Sequence, residues 1–333
     1  MLEKSVFTEE ELKSFIKKEY DIDVNNIRKI NVGSANIYSI NNDKYILKEF
    51  QSKYNENEII KEINVINHLR KNNLLVPKYI ETKNNKYFCI YKGKAIIMQE
   101  FIKGDTLEKC KGTKEQIIEC ARELGKLTSS LKSLEYELPI REIDNWFDLE
   151  KGINKKEKLL NITNDKRIIK DLKDKIEMSK YCIDKFNINE IRNNLTITNC
   201  HGDYNLLQFI YDKGKIKAII DFVSASKMPI VWEIIRSYSY IDPKCKDGDI
   251  DIDNLVEYTK EVNKYFKLNK YDLKYMSYVY LIQLLNSDYG YKQYIEDNNK
   301  KELLEFGLFR TKLCKTLFKK SNEISKRLLN EVK

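Results

Sequence analysis

The chain has 333 residues, enough for one large domain or two modest ones, and with 42% hydrophobic residues it can bury a core, which excludes wholesale disorder. Its net charge is +9, yet the 60 basic and 51 acidic residues are interleaved without a dense Lys/Arg block, so the excess reads as solvated surface, not as a nucleic-acid footprint. No apolar run approaches the ~18 residues of a membrane span, the N-terminal residues are charged, and seven cysteines are scattered without a Cys-x-x-Cys pair; the expectation is a cytoplasmic protein with reduced thiols and neither a membrane nor a nucleic-acid partner.

In chain order, "FTEEELKSFIKKEY" opens a helix, with Thr8 and Glu11 as a capping box and Leu12, Phe15 and Ile16 as its apolar stripe. The short segments "IRKINV", "NIYSI" and "KYILKEF" follow, separated by turn-like "GSA" and "NNDK", and read as an antiparallel meander. "ENEIIKEINVINHLRKNN" is a helix, and "KYFCIY" and "KAIIMQEF" are two more strands around "KGK". From Thr113 onward amphipathic helices dominate, interrupted by the strand-rich stretch "LTITNCHGDYNLLQFIYDKGKIKAIIDF". A sheet-rich first third before a helix-rich remainder implies an α+β chain with a lobe over 1–102 and a second over 103–333. The acidic run Lys246–Asp253 lacks Gly at the sixth and Glu at the twelfth place of a calcium loop, counted from Asp249, and reads as a polar loop with a helix N-cap at Asp253. Oligomeric state is not legible in the sequence.

The candidate chemistry centres on "NCHGDYNLLQ" and "IIDF". Phosphoryl transfer needs charge neutralisation, metal ions held by carboxylates, and an acceptor hydroxyl held in line. Asp203, in a loop after a strand, suits orientation or deprotonation of that hydroxyl, and Gln208 offers an amide oxygen. A hairpin turning at Asp212–Gly214 brings back Asp221, a carboxylate at the end of an apolar strand that requires a cation, for which Mg²⁺ is the natural candidate. Earlier, Gly33 sits at a strand-to-strand turn whose N–H groups can cover phosphates. Alternation in "KYILKEF" places Lys48 on the face of Ile46, where it needs an anion, and Glu62 on the next helix is a suitable partner, with Glu58 one turn earlier as its rival.

Together, "HGDYNLLQ", "IIDF", "YILK" and "VGSANIY" resemble the aminoglycoside phosphotransferase and choline kinase family of protein-kinase-like small-molecule kinases, and spore-coat kinase-like proteins are relatives. The resemblance implies a bilobal kinase fold, an antiparallel-sheet N-lobe and a mostly helical C-lobe, with ATP and Mg²⁺ as cofactors and a small-molecule hydroxyl as acceptor. By position it implies Asp203 as catalytic base, Asp221 as principal metal ligand and Gln208 as the second. Lys48 would hold the α/β-phosphates, steadied by Glu62; Gly33 and Ser34 would lie in the nucleotide-covering loop. Gln99 to Ile102, including Phe101, would be the hinge that reads adenine, with Met98 lining the adenine pocket. His201 would be a scaffold for its loop. The family usually has asparagine where this chain has Gln208, a displacement of about 1.5 Å for one methylene, for which Asn205 is the neighbouring substitute. The acceptor expected is an aminoglycoside, an amino-alcohol or a sugar-like compound; the alternative is a weak or inactive kinase-like protein with a structural or nucleotide-sensing role.

The second lobe holds an aromatic and acidic set, Trp232, Glu233, Tyr238 and Asp242, with Asp288 and Tyr289 later, which reads either as core and interface packing, the commoner role of tyrosine at this density, or as a pocket for a cationic or polyhydroxylated acceptor. Glu233 and Arg236, three apart on a helix, are placed to pair with each other.

Overall fold

The computed structural model describes residues 3–30 and 35–333. In chain order the elements of the first part are α1 (Glu9–Tyr20), β1 (Ile27–Ile30), β2 (Asn36–Ile40), β3 (Tyr45–Glu49), α2 (Glu56–Lys71), β4 (Phe88–Tyr91) and β5 (Lys94–Glu100). Then come α3 (Lys114–Leu131), α4 (Asp144–Phe147), α5 (Leu149–Leu160), α6 (Lys166–Lys185), α7 (Ile188–Asn193), β6 (Ile197–Cys200), β7 (Phe209–Asp212), β8 (Lys215–Ile219) and β9 (Ser226–Pro229). The chain ends with α8 (Ile230–Ile241), α9 (Ile252–Tyr265), α10 (Lys270–Asn286), α11 (Tyr291–Glu296) and α12 (Lys301–Glu331). Two compact units result: Met1–Leu107 with Ser133–Leu138 and Leu207–Ala225, and Glu108–Lys132 with Pro139–Leu206 and Ser226–Lys333.

The first unit is an antiparallel sheet in the order β1-β2-β3-β5-β4. The helix before it starts as its sequence dictates: Glu11 N donates to Thr8 Oγ1 at 3.3 Å and Thr8 N to the Glu11 carboxylate at 2.9 Å. That helix lays Leu12, Phe15, Ile16 and Tyr20 on one face of the sheet, against Tyr38, Ile40, Leu47, Ile96 and Met98. Since side chains alternate along a strand and Lys48 pairs with Ile97 while Leu47 pairs with Met98, Lys48 and Ile97 belong to the opposite face. There α2 begins with a second capping box, Asn55 and Glu58, which spends Glu58 on the helix terminus and leaves Glu62 facing the sheet.

The β7–β8 hairpin completes this unit. Its turn puts Lys213 and Gly214 at φ 52° and 76°, the left-handed pair that matches strand twist in a tight hairpin. Gly104, at φ 147°, lies against the backbone of Tyr211 so closely that a Cβ would collide with it, and Asp105 exchanges both backbone hydrogen bonds with Tyr211, at 2.9 and 2.8 Å.

The second unit is mostly helical, as the sequence implies. The amphipathic α3 is capped by Thr113 and Gln116 and packs on α9. α10 is buried around most of its circumference and packs on α12 and α8. The short antiparallel pair β6–β9 joins the loop at His201 to α8, because β9 runs directly into that helix. The N-cap of α9 is Asp251, whose side chain accepts from Asn254 N, not Asp253: the turn closes two residues earlier than the charge pattern suggests. Among the described residues no helix is long and apolar enough to cross a membrane, and all seven cysteines are free.

Candidate active site

In the first unit, the Lys48 ammonium lies 3.5 Å from Glu62 Oε1 and 3.8 Å from Asp221 Oδ1. It also sits 4.3 Å from the centre of the Phe50 ring. Burial alone would push the lysine pKa down, but the Glu62 and Asp221 carboxylates outweigh it and raise it, so the side chain stays a cation. Glu62 is buried, and that burial raises its own pKa against the pull of Lys48; we take the pair as ionic, because the lysine has a second carboxylate to hold its charge. Tyr79 donates its hydroxyl to Glu62 Oε1 at 3.1 Å, while Glu62 Oε2 is buried with no hydrogen-bond partner.

Asp221 follows β8 in the left-handed conformation, φ 66° and ψ 65°, which costs energy for a residue with a Cβ and is tolerated best by Asp and Asn. The Gln208 carbonyl accepts from Ile220 N at 2.9 Å, so the hairpin brings Gln208 and Asp221 to the same end. Their donors are hard oxygens, one carboxylate and one amide, which fits Mg²⁺ binding completed by phosphate oxygens and water. Among the described residues there is no cluster of three or more His, Cys, Asp or Glu able to hold a metal by themselves. Gly33 and Ser34 lie outside the described residues.

The hinge expectation needs one correction. Met98 is fully buried in the core between the sheet and α1, on the face opposite Lys48. The residues of β5 that share the face of Lys48 are Ile97 and Gln99, by the same alternation that placed Lys48 itself; applying it across the β3–β5 register would have found them. Gln99 is bridged to Tyr79, and Phe101 N donates to the Lys44 carbonyl at 3.0 Å; Phe101 and Ile102 are half-buried.

In the second unit, the loop after β6 is held from α8. His201 N and Gly202 N both donate to the buried Glu233 carboxylate, at 3.0 and 2.5 Å. His201 is fully buried, stands edge-on to the Tyr204 ring, and accepts from Asp203 N through Nδ1 at 3.3 Å, a scaffolding arrangement. The Asp203 side chain is 36% exposed, and Arg236 Nη2 donates to its Oδ1 at 2.5 Å. Asn205 is buried, with its amide nitrogen donating to the Asp203 carbonyl at 2.7 Å.

This geometry corrects the acidic-pocket reading. Glu233 does not pair with Arg236: it caps two backbone N–H groups, and Arg236 goes to Asp203. Tyr238 is fully buried and donates to Asp242 Oδ2 and the Asp251 carbonyl. Asp242 is itself buried, accepting from Lys244 N and Asn254 Nδ2 as well, so both belong to the internal wiring around α8 and α9. Trp232 is buried against Trp146, ring centres 5.0 Å apart, while Asp288 is half-buried and Tyr289 is exposed, its ring edge-on to Phe306. The sequence carried no sign of Tyr79 at Glu62, of Arg141, whose Nη1 donates to the Gly202 carbonyl at 3.4 Å, or of the Asp203–Arg236 pair. No local spacing signals contacts between residues so far apart in the chain.

Comparison with known proteins agrees with this architecture. A model of the phosphotransferase enzyme family matches residues 26–251. A spectinomycin phosphotransferase solved with ADP and spectinomycin is 16% identical, covering 94% of this chain and 98% of that one at a TM-score of 0.63. An aminoglycoside phosphotransferase from Alicyclobacillus acidocaldarius subsp. acidocaldarius is 11% identical, with coverages of 96% and 98% and a TM-score of 0.67. A microcompartment-associated aminopropanol kinase is 12% identical, with coverages of 95% and 99% and a TM-score of 0.64. No curated protein matches the chain in sequence. The chain belongs to the phosphotransferase enzyme family and is a small-molecule phosphotransferase.

Proposed function

We propose that the protein transfers the γ-phosphoryl group of ATP to a hydroxyl of an aminoglycoside-, amino-alcohol- or sugar-like compound, in the cytoplasm and with Mg²⁺. The observation that carries this reading is a mostly buried lysine held as a cation by two carboxylates, one of them the unusually folded Asp221. A fixed ammonium of this kind suits phosphate oxygens and costs no reorganisation when charge develops. Lys48 is assigned to the nucleotide phosphates, Glu62 and Tyr79 to its orientation, and Ile97, Gln99, Phe101 and Ile102 to the base. Gly33 and Ser34 are assigned to phosphate cover by sequence alone. Asp221 and Gln208 would hold Mg²⁺, which when bound neutralises charge on the phosphates. Asp203 is assigned to receive the proton of the acceptor hydroxyl, with its loop backbone fixed by Glu233 and His201. The chain passes from the second unit to the first between Leu206 and Leu207, so Asp203 and Gln208 are joined by a short stretch of continuous backbone.

The test is ADP release from ATP across a panel of hydroxyl acceptors, with Mg²⁺ and with it chelated. At least one acceptor should stimulate release only when Mg²⁺ is present. Asp203→Asn should bind ATP normally and lose about 10² to 10⁴ of the transfer rate. ATP affinity indifferent to Mg²⁺ together with no stimulation by any acceptor would overturn the reading in favour of a nucleotide-sensing, kinase-like protein.

A further inference from the structure

The class of acceptor, an inference that rests on the proposed kinase function, is written in the charge beside Asp203. A cationic acceptor needs carboxylates to receive its ammonium groups, and α8 with its C-cap carries two, Glu233 and Asp242. In the folded unit Glu233 is spent on His201 N and Gly202 N, and Asp242 on Tyr238, Lys244 N and Asn254. What stands around Asp203 instead is guanidinium. Arg236 donates Nη2 to Asp203 Oδ1 at 2.5 Å, and Arg141 donates Nη1 to the carbonyl of the neighbouring Gly202 at 3.4 Å. Both guanidinium groups lie against one indole, 5.2 Å and 5.5 Å from the centre of the Trp232 ring. Two donors here have no acceptor among the described residues, Arg236 Nη1 and Trp232 Nε1, both buried. Such donors are under-satisfied until an oxygen reaches them.

We propose that, within the acceptors named above, the chain takes the sugar-like class and sets the polycationic aminoglycosides and simple amino-alcohols aside: the acceptor is an alcohol that also carries an oxyanion, a carboxylate or a phosphate ester, and Arg236 is the specificity-determining residue that receives it. The guanidinium fork offers parallel N–H groups to a planar oxyanion, whereas an ammonium brought to the same place meets like charge. The exchange also bears on catalysis. As the oxyanion draws Arg236 away, the Asp203 carboxylate is released to accept the hydroxyl proton; the hydroxyl oxygen forms the new P–O bond, and the bond from the γ-phosphorus to its bridging oxygen breaks to leave ADP.

Matched acceptors test this: a hydroxy acid against its amide and its amino-alcohol, a sugar phosphate against the free sugar, and kanamycin as a polycation. The charged member of at least one pair should show a tenfold or greater advantage in kcat/KM, carried mainly by KM, and the pair with the larger ratio identifies carboxylate or phosphate. Arg236→Gln should collapse that ratio, and Arg236→Lys should restore it in part. A purely structural role for Arg236 would lower both members equally and leave the ratio standing, which overturns the assignment, as does preference for the neutral or cationic member. Calorimetric binding of the same pairs to Asp203→Asn, loaded with a non-hydrolysable ATP analogue, reads selectivity without turnover. Selective binding of the anion there, lost in an Asp203→Asn/Arg236→Gln double variant, would sustain the oxyanion site even if no acceptor released ADP and the kinase reading failed. Equal binding of both members would overturn the site.

Discussion

Lys48 in the first unit and Lys156 in the second are both largely withdrawn from water, and the protein treats them oppositely. Lys48 has carboxylates on two sides, Glu62 and Asp221, and they raise its pKa despite its burial. Lys156 is fully buried, and its ammonium donates to the Gly152 carbonyl one turn back in its own helix, at 2.9 Å. Burial and the neighbouring charge of Lys175 push it down to about 7, with Asp288 opposing. Lys175 likewise donates to carbonyls, of Leu284 and Ser287 at the end of α10, and is pushed down to about 8, mainly by burial. Carbonyl dipoles satisfy hydrogen bonds but do not repay the desolvation of a full charge. In this chain the buried lysine poised for an anionic ligand is the one that carboxylates keep charged, whereas Lys156 and Lys175, held by carbonyls alone, are pushed toward neutrality.

The largest expected effect separates the two. Lys48→Met should cut phosphoryl transfer by about 10² or more, the order seen when one preorganised electrostatic contact is removed. ATP affinity should fall by about tenfold, while Lys156→Met keeps transfer within about twofold of wild type. Equal losses in the two variants, measured as kcat/KM for ATP, would erase the distinction between them.

A smaller effect concerns stability. An unfolded lysine keeps its proton to about pH 10.4, whereas folded Lys156 releases it near 7. Between those values the unfolded chain binds more protons, so stability rises with pH, and it is lost as pH falls through the folded value. The urea midpoint of the wild type should therefore climb from pH 6 to pH 9. Lys156→Met should flatten part of that climb and raise the midpoint at pH 6, with the contribution of Lys175 remaining. A pH-independent wild-type midpoint would show that Lys156 is not desolvated as its packing indicates.

The contrast also explains what could be read in the sequence. Patterns local to one element were legible: the Thr8 cap, the hairpin turn at Asp212–Gly214, and the alternation that put Lys48 opposite Leu47. The family motifs then assigned roles that no spacing could. What stayed hidden required knowing which elements touch. Met98 was aimed at the wrong face because its side is set by pairing with Leu47, and by α1 covering that side. Glu233 and Arg236 looked like a local pair, since a spacing of three is what a helix surface offers; tertiary contact with the loop at His201 gave each a stronger partner. Tyr238 and Asp242 looked like pocket residues because composition cannot distinguish an internal hydrogen-bond network from a lining.

Gln208 offers the smallest and most discriminating change. Its backbone is fixed by the Ile220 N–H, so the end of the hairpin will not drift when the side chain is altered. If its amide oxygen is a metal ligand, Gln208→Asn draws that oxygen back by about 1.5 Å toward the length usual in the family. The loop already carries the longer side chain, so the expected outcome is transfer within about threefold of wild type, equal or higher, with Mg²⁺-dependent ATP affinity retained. Gln208→Ala removes the oxygen, and its Mg²⁺ dependence of ATP affinity should weaken while Asp221 still supplies the charge. Calorimetric titration of ATP at several Mg²⁺ concentrations reads both variants without reliance on turnover. Unchanged metal dependence in Gln208→Ala would remove this residue from the metal site and leave Asp221 as the assigned ligand. Buried Asn205, its amide nitrogen already committed to the Asp203 carbonyl, would then be the next ligand to test.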